Sequence, residues 1–279
     1  MTTLDHKIDF AVVFSVTNAN PNGDPLNGNR PRQNFEGFGE VSDVAIKRKL
    51  RNRLQDLGEA IFVQSDDRAN DGFKSLNERA ESVEELAKIK KDKKGNADTF
   101  ALIAAQNWFD VRAFGQVFAF KGDTLSVGVR GPVSIHPAMS IEPIDITSTQ
   151  ITKSVNSVTG DKKGSDTMGM KHRVDFGVYK FVGSINTQLA EKTGFTNDDA
   201  EKLKEALVSL FENDASSARP EGSLEVKKVI WWEHSSKLGQ YSSAKVHRAL
   251  TVSLEEGAQE PKIVVTSLEG LKVDELDGR

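Results

Sequence analysis

The chain of 279 residues contains no cysteine, which excludes disulfides, thiolate metal sites and cysteine nucleophiles but leaves the compartment open, with cytoplasm the default. No run approaches the ~20 consecutive apolar residues of a membrane helix. The start, MTTLDHKIDFAVVF, lacks a basic region, a long apolar stretch and a small-residue cleavage site, so it does not read as a secretory signal. No Gly-Lys-Ser/Thr phosphate loop, dinucleotide fingerprint or G-x-S-x-G elbow is present. The five histidines (His6, His136, His172, His234 and His247) are scattered, without the i, i+4 spacing of a helical zinc motif. Neither a catalytic set, nor a metal site, nor a cofactor is indicated.

What the chain does have is 37% hydrophobic and 28% charged residues, a composition that fits a globular protein with a real core. The net charge of −4 argues against a uniformly basic nucleic-acid binder, yet charge is unevenly placed. Arg30–Arg53 holds seven basic and three acidic residues, Lys88–Lys94 five and one, and the stretch from Glu255 onward three and seven. Local patches, more than totals, decide phosphate binding.

Residues 8–17 are β-branched and aromatic and predict a buried strand. The following NANPNGDPLNGNRPRQNFEGFGE is an Asn/Gly/Pro-rich loop of unusual length, and loops beyond about 12–15 residues are usually functional or disordered. SDVAIKRKLRNRLQDLG predicts a helix capped by Ser42 and stopped by Gly58, with Ile46, Leu50, Leu54 and Leu57 as its buried stripe. Residues 60–112 are polar, charged and mostly helical, an inserted subdomain. Strands follow at 123–137 and 140–152. Residues 153–173 predict a projecting loop or hairpin, and 174–186 another strand. A second helix spans 195–213 with a Thr196/Asp199 capping box and Leu203, Leu207 and Leu210 buried. Late strands lie near 224–235, 248–256 and 261–268. Without the insertions the order is β-α-β-β-α-β, the ferredoxin-like arrangement of RNA-recognition domains.

Each candidate site has a functional and a plain reading. In KRKLRNR, Lys47 and Arg51 share one flank of the apolar stripe, Lys49 and Arg53 the other, and Arg48 points outward. The cluster either neutralises phosphates or is a solvated basic face. Asp24 in NPNGDP is a metal ligand or general acid, or a turn-former, which is the commoner role for a loop aspartate. His172 lies between Lys171 and Arg173, where phosphate would sit. Met168 and Met170 on a Gly-flanked polar segment are either apolar wedges between bases or docked on the protein's own core. Arg112 in DVRAFG reaches RNA or buttresses the insertion. Trp231 and Trp232 alternate across a strand, one facing the core and one outward, with core packing favoured over base stacking.

Taken in order, NPNGDP, VSDVAIKRKLRN, DVRAFGQVFA and ITKS…GMKHRVDFGVY resemble the type I-C, and next the type I-B, members of the Cas-seven superfamily of CRISPR backbone subunits. The resemblance spans essentially the whole chain. It implies an α+β protein: a modified ferredoxin-like, RNA-recognition-motif palm (1–59, 123–146 and 178–279), a helical finger insertion (60–122) and a hairpin thumb insertion (147–177). It further implies a non-catalytic subunit that polymerises along the spacer of a CRISPR RNA, kinks it at intervals and supports hybridisation of target DNA, beside Cas-five and Cas-eight type subunits. Carried over by position, Ser42, Lys47 and Arg51 hold the RNA backbone. The Asn20–Arg32 loop (Asn20, Asn22, Arg30 and Arg32) lies against RNA or the adjacent copy, and Met168, Met170, Lys171, His172 and Arg173 fall at the wedge. Related type III subunits cut RNA with a loop aspartate and a divalent metal, a role only Asp24 could fill here. A stand-alone RNA-binding filament protein is the other alternative.

Overall fold

The computed structural model describes residues 2–91, 96–120, 125–156, 159 and 168–279. The last lysines of the 88–94 run, the start of DTLSVGVRG and the tip GDKKGSDT of the predicted hairpin lie outside these residues. Among the described residues no helix is long and apolar enough to cross a membrane.

β1 (Ile8–Ala19) is buried along nearly its whole length, as a continuous β-branched and aromatic run requires when both faces of a strand are covered. The chain then makes a two-residue ladder, β2 (Gly23–Asp24) with β3 (Arg30–Pro31), and a short strand β4 (Phe38–Val41). Helix α1 (Asp43–Asp56) follows. The Ser42 hydroxyl accepts from Ala45 N at 3.3 Å, and Gly58 leaves the helix at φ 91°. Ile46, Leu50 and Leu54 are buried as the spacing predicts, and Leu57 is partly buried.

Next come α2 (Leu76–Glu81), α3 (Glu84–Lys91), α4 (Ala97–Asn107), α5 (Phe109–Phe114), β5 (Gly115–Phe118) and β6 (Val127–Arg130). They enclose a separate apolar cluster built on Phe62, Leu86, Phe100, Trp108 and Phe118. This helical unit therefore has its own core. Where it rejoins the main body, a Cβ at Gly131 would lie 2.3 Å from the carbonyl oxygen of Ala113, so only glycine fits.

β7 (Val133–Ile135), β8 (Ala138–Pro143), β9 (Ile146–Thr152) and β10 (Met168–Ile185) return the chain to the main sheet. After α6 (Thr187–Thr193) and α7 (Asn197–Val208) come β11 (Leu224–Glu233), α8 (Ser243–Arg248), the pair β12 (Leu250–Ser253) and β13 (Lys262–Val265), and finally β14 (Lys272–Asp277). The Thr196/Asp199 capping box at α7 is present. The sheet is antiparallel with order β14-β11-β1-β10-β8-β4, and β7 and β9 also pair with β10.

The pleat sorts β1 into two cores. Phe10, Val12, Phe14 and Val16 pack with α1 and α7, whereas Ala11 and Val13 face a second cluster with Val246 of α8 and Leu250 of β12. This second cover corrects one expectation: Trp232 does not face outward. Trp231 and Trp232 do point to opposite sides of β11, yet both are buried, because α8 and the β12–β13 pair shield the face that a four-strand reading leaves open.

Candidate nucleic-acid interface

The long loop after β1 is ordered by its own polar side chains. Asp24 accepts from Leu26 N (3.2 Å), capping a 3-10 turn over Pro25–Asn27, and Gly28 and Asn29 close the turn with φ near 60°. The buried Asn20 side chain donates to the carbonyl of Asn29 (2.6 Å), while its backbone N–H donates to Ala218. Asn22 accepts from Ser42 N (2.9 Å), which couples the loop to the start of α1, and its carbonyl takes the N–H of Arg32. Arg32 reaches Asp24 at 3.6 Å. Asp24 is thus a turn-former with an arginine partner. Among the described residues no three His, Asp or Glu side chains come together to hold a metal.

Residues 168–173 are not a loop tip. They continue β10 and pair with β9: Met168 with Thr152, Met170 with Gln150, His172 with Ser148 and Arg173 with Thr147. Met168 and Met170 stand on one face of this two-stranded hairpin at 63% and 55% exposure, so they are not docked on the core. Ile151 is exposed as well. Lys171 is exposed without an ion-pair partner among the described residues, and Arg173 reaches Asp175 only at 3.5 Å.

Arg30 joins loop to hairpin. Its guanidinium donates to Ser148 Oγ (2.9 Å), and His172 Nδ1 lies 2.8 Å from the same oxygen. Beside this bridge opens a groove of about 310 Å³, lined by Asn20, Gly28 and Asn29, by Ile151, Met170, Lys171 and His172, and by Ser217 and Ala218 of the segment before β11. It combines exposed positive charge, exposed apolar side chains and hydrogen-bonding groups, which is the chemistry a single-stranded polynucleotide meets on its binding proteins.

The basic helix α1 behaves differently, because most of its cations have partners within the chain. Arg48 does not point outward; it donates to the carbonyl of Val63 (2.6 Å), and burial together with Arg51 lowers its pKa. Lys49 is buried against Asp214 and the Phe211 ring, and burial pushes its pKa down to about 8. Arg51 pairs with Asp110 (2.9 Å) and lies over Phe114, while Arg53 pairs with Glu212 (2.7 Å). Asp110 also accepts from Phe62 N and Val63 N, so Arg51 belongs to the joint between α1 and the helical unit. Arg112 is likewise a buttress: it holds Asp199 with two bonds (3.0 and 2.8 Å) and donates to the carbonyl of Ala105. Of the cations on α1, Lys47 alone is held only by an i, i+4 surface pair with Asp43 (3.0 Å), which a phosphate could displace. The Ser42 hydroxyl is occupied as the cap.

Asn20, Met170, Lys171 and His172 therefore line one groove, with Arg30 bridging beside it; Met168 and Arg173 extend along its hairpin, and Asn22 and Arg32 brace the loop. Ser148, Ile151, Ser217 and Ala218 were missed. The polar alternation of ITSTQIT carries a strand signal, but nothing in it marks Ser148 as a bridge.

Known proteins resemble this chain in sequence and in fold. A family model described as "CRISPR-associated protein Cas7" matches residues 6–273. A Haloferax volcanii protein described as CRISPR-associated protein Cas7 is 27% identical over 235 residues, covering 78% of this chain and 67% of that protein. Among solved structures, a chain of a CRISPR RNA-guided surveillance complex, pre-nicking, superposes with a TM-score of 0.50 at 17% identity, over 81% of this chain and 75% of that one, which is a likeness of fold. The match along nearly the whole length makes this chain a member of the CRISPR-associated protein Cas7 family.

Proposed function

We propose that the chain is a non-catalytic, CRISPR RNA-binding backbone subunit of a surveillance complex of the type I-C kind. Copies of it line the spacer, with Cas-five and Cas-eight type subunits beside them, and target DNA is engaged through the guide. The strand order β11-β1-β10-β8, with α1 and α7 on one face, supports reading the main sheet as a ferredoxin-like palm, the unit around Phe62 and Phe100 as the finger and the β9–β10 hairpin as the thumb. The observation that carries the RNA-binding reading is the groove between the Asn20–Arg32 loop and the hairpin, where Lys171, without an ion-pair partner among the described residues, stands beside Met170 and the Arg30–Ser148–His172 bridge. Such a surface contacts backbone and base planes without selecting a sequence, as a carrier of any spacer must. Met168 and Met170 are the wedge that interrupts the stack, and Lys47 is an outlying phosphate contact.

The test is charge reversal of Lys171 and Arg173 together, titrated with several unrelated single-stranded RNAs at a series of salt concentrations. Affinity should fall by a similar factor for every sequence. The slope of log affinity against log salt should become shallower by about 1–2, since each lost contact removes about 0.7 on a single strand. Affinity and slope both unchanged would refute the groove assignment.

A further inference from the structure

Sulfur in this chain is confined to four methionines, since there is no cysteine. Met1 lies outside the described residues and Met139 is partly buried on β8, whereas Met168 and Met170 stand in solvent at the start of β10, Met170 on the wall of the groove. Gln150 of β9 donates from Nε2 to the Met168 sulfur at 3.6 Å, and the Met170 sulfur has no donor among the described residues. An accessible thioether is soft and apolar; with one oxygen added it becomes a polar, chiral sulfoxide.

From this we infer that Met168 and Met170 are a peroxide-oxidation site that controls whether the free subunit takes up RNA. The inference rests on the groove reading above. A sulfur lone pair attacks one oxygen of hydrogen peroxide. The O–O bond breaks as the S–O bond forms, sulfur gives up two electrons, and the second peroxide oxygen leaves as water with both protons. No thiol in the chain intercepts the oxidant, so the exposed thioethers take it. On Met170 the new oxygen is an acceptor in the groove that Lys171 also lines, where it competes with phosphate for the ammonium and hydrates an edge that was apolar. On Met168 the oxygen accepts the Gln150 amide proton better than a thioether sulfur, a weak acceptor, can. RNA lying over the methionines shields them. Loaded subunits therefore keep their guide, while unloaded ones are withheld until a sulfoxide reductase restores the thioethers.

The test treats the full chain with hydrogen peroxide, alone and saturated with single-stranded RNA, and follows each methionine by peptide mass spectrometry. Met168 and Met170 should each gain one oxygen well before Met139, and bound RNA should slow both. Affinity of the oxidised chain for RNA should fall about fivefold or more, the scale of two lost thioether–ring contacts, and return after treatment with sulfoxide reductases of both stereospecificities. A chain carrying Met168→Leu and Met170→Leu, whatever its own starting affinity, should lose none of it to the same peroxide treatment. Equal affinity before and after oxidation of both sulfurs, with RNA still shielding them, would overturn the switch and leave the groove reading standing. A loss of the same size in the doubly substituted chain would place the damage elsewhere and overturn the switch as well. Oxidation that bound RNA does not slow would remove the groove reading beneath, and the switch with it.

Discussion

At the scale of single residues, the decisive facts are who partners whom. Buried Lys49 pairs with the partly buried Asp214, but the pair is lopsided, because Asp214 also accepts from Arg219 at 3.0 Å while Lys49 has no second carboxylate among the described residues. Asp214→Asn should therefore strand a buried ammonium and cost about 3 kcal/mol or more. Lys49→Met leaves Asp214 with its arginine and should be nearly neutral. Urea midpoints measure both, and equal losses would show that the pair is not organised this way. Because burial lowers the Lys49 pKa in the folded chain, the unfolded chain binds more protons between about pH 8 and the ordinary 10.5. The contribution of this group to stability should accordingly rise with pH across that window in the native protein and vanish in Lys49→Met. The same residues show where the sequence is mute. KRKLRNR announces a basic helix, but Asp110, Glu212 and Asp214 stand 59 or more positions from the cations they neutralise, and no local pattern reveals that.

At the scale of elements, α1 and α7 were legible down to their caps, since Ser42 and the Thr196/Asp199 box act within a single turn. β9 was legible as a strand and the segment after it as a projecting loop or hairpin, but the start of β10 was not legible as a strand, because Gly169 and the run Lys171–Arg173 mask its period-2 pattern. Its pairing bears on the methionines. Since Met168 and Met170 are mostly exposed, replacing both by serine should move stability by no more than about 0.5 kcal/mol. Nuclease footprints on the bound RNA should nevertheless lose their regular interruptions. Footprints of identical spacing before and after would rule out the wedge.

At the scale of the whole molecule, the mixing of strands and helices could be read from the chain, but the second cover of the sheet could not. Trp232 is buried because α8 and the β12–β13 pair fold over that face, and short elements late in the chain give little periodicity to announce it. One buried charge ties this cover to the centre of the sheet. Asp9 of β1 is fully buried and receives Lys7 (2.9 Å), His234 of β11 (2.8 Å) and His247 of α8 (3.5 Å). Burial alone pushes the Asp9 pKa up, but the bonds from His234, His247, Ser243 and Lys7 outweigh it and hold the carboxyl well below the usual carboxylate range. A depressed folded pKa contributes stability above the unfolded value, about 3.9, and loses it as pH falls through the lower folded value. Asp9→Asn should thus lower stability at neutral pH by about 3 kcal/mol and flatten the acid limb of a thermal-melting profile. A variant whose acid limb matches that of the native chain would remove Asp9 as the pin.

β10 is 18 residues long, roughly 60 Å at strand rise, and its two halves live under different conditions. From Val174 onward it is clamped between β1 on one side and β8 and β7 on the other; before Val174, among the described residues, its one ladder partner is β9, with the Asn20–Arg32 loop packed alongside. In mechanical terms it is a cantilever with one end set in a wall. Load applied at the free end bends the beam near its root, where Asp175 meets Asp145 and Thr147, and leaves the register of the sheet untouched. A subunit built this way tolerates variation in whatever its free end grips while its own frame keeps its shape.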